Sequence, residues 1–168
     1  MHILFVTGEY PPMRGGVGAY TAEVAQALAS AGVRVSVVTT QQAQTPLYQA
    51  APVMIHPVIG RWGGRIWQQV PHLAQQIGAT WLHVQYQTAA FAMNPAINLA
   101  PQQWRRHAKR HSQPLQVAWT YHDLLAPYLF PKAGARLRRW VTLRPANTSH
   151  LVIATNQGDY QELAHTAS

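Results

Sequence analysis

The chain has 168 residues, 48% of them hydrophobic and six of them tryptophan, enough for a single domain with a proper core, which excludes a disordered chain. It has no cysteine, so a disulfide framework and thiolate metal or redox sites are excluded too. Thirteen Lys and Arg against five Asp and Glu give a net charge of +8, a balance that attracts nucleic acid, anionic lipid or a phosphorylated substrate.

Residues 2–6, HILFV, read as a buried strand closed by Thr7 and Gly8. The apolar positions Val17, Tyr20, Val24, Leu28 and Ala31 recur every three or four residues and predict a helix with that face buried. Gly32 suits its left-handed end. Residues 33–38, VRVSVV, supply the next strand. Such a strand–helix–strand unit is a right-handed crossover with both strands in one parallel sheet. Ligands bind such sheets outside the carboxyl ends of the strands, where the loop holding Pro11, Pro12, Gly15 and Gly16 lies.

Residues 41–52 are polar and alanine-rich and read as a mobile loop. Residues 53–58 are a third strand, demoted toward an edge by Pro57. A helix over 63–77 is expected to break or kink at Pro71. Residues 81–86, WLHVQY, are a strand buried on both faces. Helical material over 88–111 is interrupted by Pro95 and Pro101, and a strand follows over 115–120. A basic helix over 133–148, a short strand over 151–154 and a terminal helix over 159–164 complete the chain. Strands alternating with helices imply an α/β fold, a single Rossmann-like doubly wound parallel sheet flanked by helices, as one domain over 1–168. No signal peptide or membrane span is read from the chain, which points to the cytoplasm.

The glycine loop admits several readings. Gly15 and Gly16 let backbone N–H groups approach a ligand closely, and a helix N-terminus beside them favours an anion. A tight loop without a ligand explains the same pair. A nicotinamide fingerprint fits poorly: Thr21 stands where a third glycine belongs, and Thr39 and Thr40 replace the carboxylate that would close the second strand. No Walker lysine is present.

In a parallel sheet, Glu9, Gln85, Gln87, His122, Asp123, Thr155 and Asn156 all follow or flank strand ends and share one rim with the glycines. Three of the five carboxylates, Glu9, Asp123 and Asp159, fall in or just after these loops. His122 reads either as a hydrogen-bonded structural residue or as a donor or acceptor near neutral pH. Asp123 reads as a partner orienting His122 or as a loop cap, and Glu9 as a site residue or as an acceptor for nearby loop amides. His107 and His111 stand four apart on a helix, a spacing that can place two metal ligands on one face. No carboxylate lies near them in a basic run, so no metal site is expected. There is no Gly-x-Ser-x-Gly elbow, and the spacing of two glycosidase carboxyls cannot be assigned. The basic clusters Arg105, Arg106, Lys109, Arg110 and Arg136, Arg138, Arg139, Arg144 read as solvated helix faces or as anion-binding patches.

Taken together, HILFVTGEYPPMRGGVGAYTAEVAQALASAGVRVSVVTT, WLHVQYQ, VAWTYHD and SHLVIATNQGDYQELA resemble the N-terminal domain of a group-1 (family 4) retaining glycosyltransferase of the GT-B architecture. The resemblance implies transfer of a sugar from a nucleotide-sugar donor, UDP- or GDP-linked, to a sugar or lipid-linked acceptor with retained anomeric configuration. No tightly bound cofactor is expected. It puts Gly15 and Gly16 against the donor diphosphate and His122, with Asp123, beside the transferred sugar. The acceptor-side candidates are Glu9, Tyr10, Gln85, Gln87, Thr155 and Asn156. Arg136, Arg138 and Arg139, with Trp140, are candidates for peripheral contact with an anionic inner membrane face or an acceptor phosphate. The family's donor-binding second domain has no counterpart here, and the chain stops before the last strand and linker of the first. An inactive fragment of a longer enzyme is therefore expected. Rival readings are a basic nucleic-acid module, which has no recognised motif here, a non-catalytic partner subunit, and a sugar-nucleotide epimerase of the same architecture.

Overall fold

Six strands form one parallel sheet in the computed structural model, which describes residues 1–43, 52–124 and 134–166. They are β1 (His2–Thr7), β2 (Arg34–Thr40), β3 (Val53–Ile59), β4 (Trp81–Tyr86), β5 (Gln116–Tyr121) and β6 (Leu151–Ala154). Between and after them run α1 (Gly16–Ser30), α2 (Ile66–Ile77), α3 (Ala96–Arg110), α4 (Ala135–Thr148) and α5 (Gln157–Thr166). The spatial order is β3-β2-β1-β4-β5-β6, so the winding reverses between β1 and β4. This is the doubly wound, Rossmann-like arrangement expected from the alternation of elements.

Both faces of β1 are covered, which is why its sequence is a continuous apolar run. Ile3 and Phe5 join Val35, Val37 and Ala25 in the core beneath α1. Leu4 and Val6 enter the larger core on the opposite face, built with Ile66 and Val70 of α2, Ile97 and Trp104 of α3, and Leu143 of α4. Aromatic side chains fill that core; several of their polar tips are satisfied, whereas the buried indole N–H groups of Trp62 and Trp119 have no hydrogen-bond partner among the described residues. Trp104 donates to the Ile66 carbonyl at 3.1 Å, Tyr121 donates to the Thr142 carbonyl at 2.9 Å, and the Tyr86 and Thr88 hydroxyls meet at 3.0 Å.

Several expectations are corrected by packing. The buried face of α1 is Val17, Gly18, Thr21 and Ala25, whereas Tyr20 and Ala31 are exposed. Thr21 can sit inside because its hydroxyl donates back to the Val17 carbonyl at 2.6 Å. Gly32, at φ +84°, ends α1 as expected, with Val33 N–H donating to the Leu28 carbonyl at 3.0 Å. Neither Pro71 nor Pro101 breaks its helix, and α4 continues through Pro145. All three rings are buried, so packing holds each helix through the lost hydrogen bond. Pro57 lies in β3, which is an edge strand. Of the expected loop over 41–52, residues 44–51 lie outside the described residues, as does position 133 at the start of the expected basic helix. No described helix is long and apolar enough to cross a membrane.

Candidate functional site

The strand order reverses between β1 and β4, and a crevice outside their carboxyl ends follows from that reversal. The loop after β1 holds Thr7 in place through its hydroxyl, which donates to the Glu9 carbonyl at 2.8 Å. The loop then returns the Glu9 side chain to the start of α1, where Oε1 accepts from the N–H groups of Val17 and Gly18 at 3.1 Å each. A carboxylate thus caps a helix whose own N-cap residue, Gly15, has no side chain to offer. Gly15 is demanded by space: its backbone is extended, but a Cβ there would strike the Glu9 carboxylate. Gly16 faces open space on the other side. Of the two readings of Glu9, the structure gives the amide acceptor, and two of the helix's free N–H groups are already engaged by it.

Beneath the rim, the strand register sets Thr7, Gln85 and Thr120 side by side, all on the α1 face of the sheet and all buried. His122, the residue after β5, stands above this row. Its Nε2 lies 2.9 Å from Gln85 Oε1; because that oxygen only accepts, Nε2 carries the proton and Nδ1 is left with a lone pair. Tyr20 packs edge-on against the His122 ring with centroids 4.8 Å apart, so the first turns of α1 and the end of β5 meet directly. Burial lowers the His122 pKa, against the opposing pull of Asp123 and Glu9, and the imidazole is neutral at physiological pH. Asp123 Oδ2 accepts from Gln87 at 3.3 Å. One residue row lower, His83 stacks on Phe5 at 4.9 Å and bonds the Thr120 hydroxyl at 2.8 Å. Burial first, and the neighbouring His122 second, bring its pKa down to about 4.

Glu9, Gly15, Gly16, Gln85, Gln87, His122 and Asp123 therefore gather at the crevice. Tyr10 does not: it is buried in the core under α1 with Ile3 and Phe5. Thr155 lies at the end of β6 with its hydroxyl donating to the Tyr121 carbonyl at 3.2 Å, and Asn156 caps α5 by accepting from Asp159 N–H at 2.9 Å. Both are on the same sheet edge but are engaged in turn formation. Arg136, Arg138 and Arg139 lie on α4, where Arg139 pairs with Glu162 at 2.6 Å. Trp140 beside them is half exposed and lies under Arg144 at 5.4 Å. Sequence reasoning missed Tyr20, His83 and Thr120. Tyr20 passed for a core residue, and only the register reveals that Thr120 adjoins Gln85.

A family model described as Glycosyltransferase Family 4 matches residues 14–167, nearly the whole chain. The chain belongs to glycosyltransferase family 4. The family match takes in Gly15, Gly16, Gln85 and His122, but begins beyond Glu9, the residue that caps α1 here. A search among curated proteins finds no significant match. Among solved structures, a dTDP-glucose 4,6-dehydratase of Bacillus anthracis in complex with NAD shares the fold with a TM-score of 0.54 and 11% identity. The alignment covers 92% of this chain and 53% of the dehydratase, so this family 4 chain spans about half of that protein's length.

Two measurements probe the rim. Glu9→Ala is expected to cost about 1 kcal/mol through loss of the α1 cap. Gly15→Ala should be markedly more damaging in the wild type than in a Glu9→Ala background, with a coupling of about 0.5 kcal/mol or more by urea unfolding. Strict additivity would mean that the two sites do not share space. The second concerns acid. Because His83 titrates near 4 when folded and near 6.5 when unfolded, its contribution is complete above about pH 6.5 and is lost as the pH falls toward 4. About 3 kcal/mol should disappear over that window in the wild type, and this slope should flatten in His83→Gln.

Proposed function

We propose that this family 4 chain is the acceptor-side half of a retaining glycosyltransferase that moves a sugar from a UDP- or GDP-linked donor to an acceptor. The single observation that carries the reading, beside family membership, is the direct packing of Tyr20 on His122, which joins the glycine-loop helix to the end of β5. A donor lying over this junction has its diphosphate near Gly16 and its sugar near His122. The leaving group is a nucleoside diphosphate, and catalysis is served by donors aimed at its growing negative charge. With Val17 and Gly18 N–H engaged by Glu9, this half offers the diphosphate the open side of Gly16 and one exposed cation, Arg14. The main cationic grip must come from a second, donor-binding domain. Neutral His122 offers Nδ1 as an acceptor for a sugar hydroxyl while Gln85 fixes the ring through Nε2. No covalent nucleophile is assigned. The placement of Glu9, Gln87 and Asp123 makes them the polar lining available to an acceptor, while buried Gln85 acts by orienting His122.

The test has two parts. By calorimetry, this chain alone should bind UDP- or GDP-sugars more weakly than about 1 mM, and micromolar affinity would refute the division of labour. In the reading frame that carries both domains, the product should keep the donor's anomeric configuration by NMR, and an inverted product would overturn the reading. His122→Gln should lower kcat by about a hundredfold or more and remove an acid limb that appears at pH below the ordinary histidine range, where the wild-type ring, its pKa lowered by burial, gains a proton and loses its acceptor.

The same reading favours a cytoplasmic enzyme held peripherally at an anionic membrane through Arg136, Arg138 and the half-exposed Trp140, each basic residue contributing about 1 kcal/mol. Arg139, paired with Glu162, contributes less. Co-sedimentation should show preference for anionic over neutral vesicles at low salt, reduced in Arg136→Gln/Arg138→Gln; equal partitioning would count against membrane contact.

A further inference from the structure

The chain carries no Asp or Glu between Glu23 and Asp123, and that stretch includes the whole of α2 and α3. The two helices pack side by side and leave an open groove of about 840 Å³ between their outer faces. Arg65 and His72 line it from the α2 side, and Arg106, His107, Arg110 and His111 line it from α3. The α3 residues recur at intervals of one, three and four, so one stripe of that helix points into the groove. Among the described residues, none of the three guanidinium groups makes an ion pair or a side-chain hydrogen bond. Three guanidinium groups converging without a counter-charge repel one another, and an arrangement of this kind is relieved by a bound anion.

We propose that the α2–α3 groove binds a soluble anion bearing several linked phosphates. Three permanently charged guanidinium groups suit phosphate oxygens through paired N–H donors, and a singly charged ion would leave most of the repulsion in place. The groove has the size of a small-ligand site. Gln68 and Gln103 add neutral donors on its walls. Trp67, whose indole N–H is tied to the Ala96 carbonyl at 2.9 Å, holds the two helices at one end of it. The concave, small-ligand shape favours a compact anion over a nucleic-acid backbone tracking along an open ridge. The site is distinct from the rim: α3 runs away from the crevice toward the opposite edge of the sheet, and Arg106, Arg110 and His111 lie in and beyond its last turns. The His107 and His111 rings meet at a tilt with centroids 4.3 Å apart, and burial, followed by His111, His72 and Arg110, lowers the His107 pKa. A bound polyanion opposes those cationic neighbours, so binding should draw a proton onto the ring and strengthen as pH falls.

The probe is sodium tripolyphosphate, titrated calorimetrically into the chain at roughly 0.15 M salt and at about pH 6 and pH 8. Wild type should bind. Arg106→Gln/Arg110→Gln should lose about tenfold or more in affinity, with an unchanged far-ultraviolet circular dichroism spectrum confirming the fold. Arg136→Gln/Arg138→Gln on α4 should change affinity by less than about twofold, the scatter expected for charges beyond screening distance. His107→Gln should reduce the gain seen at the lower pH. Equal losses in both arginine pairs would reduce the effect to diffuse charge and overturn the site, as would absence of wild-type binding up to about 1 mM. Binding of anionic vesicles or short DNA through Arg106 and Arg110, with tripolyphosphate ignored, would also overturn it in favour of a macromolecular docking face.

Discussion

Glu9 folds back onto the amides of Val17 and Gly18, and the layout of the rim depends on that pair of hydrogen bonds. They fix where α1 starts and the direction in which its first turn leaves the loop. Because the cap is delivered from a loop residue, position 15 must be empty of side chain, and Gly15 provides the gap. With the first turn fixed, Tyr20 is carried across to His122, and His122 is in turn oriented by Gln85 from β4. Three strand ends are thereby coupled through side chains, although β1 and β5 are not neighbours in the sheet.

The same carboxylate limits what this family 4 chain can offer an anionic ligand. A helix N-terminus ordinarily presents several unsatisfied N–H groups to a phosphate. Here an internal negative charge has taken two of them. Most cations of the chain lie elsewhere, along α3 and α4, and at the start of α1 the exposed Arg14 beside Gly15 is the exception. Beneath the rim the polar groups are neutral: the buried row of Thr7, Gln85 and Thr120, and an imidazole kept uncharged by burial.

Much of the fold was legible in the residues. β4 and β6 span the residues their apolar runs mark out, and Pro57 marks an edge strand. The helices were harder, because proline was read as punctuation while buried packing carries each helix through it. The face of α1 was misread for a related reason. Large apolar residues draw attention, yet the sheet accepts the small Gly18 and Ala25 together with a Thr21 that satisfies its own hydroxyl. At the crevice, the strand-end rule found Glu9, Gln85 and His122. It could not find the Glu9–Gly15 contact or the Thr120–Gln85 adjacency, which depend on loop path and register, and it put Tyr10 at the rim when its ring is buried. Spacing on α3 brought out His107 and His111 as a pair, but not the residues that α2 supplies across from them.

The absence of carboxylates from residue 24 to residue 122 has one more consequence. Apart from α5, whose Glu162 pairs with Arg139 of α4, negative groups are confined to α1 and the loops at the carboxyl edge, while most positive ones crowd α3 and α4 on the opposite layer. The molecule is therefore an electric dipole as well as a cation. In the field of any negatively charged body it turns before it touches, presenting the α2–α3–α4 flank and leaving the crevice facing sideways, open to whatever arrives from solution.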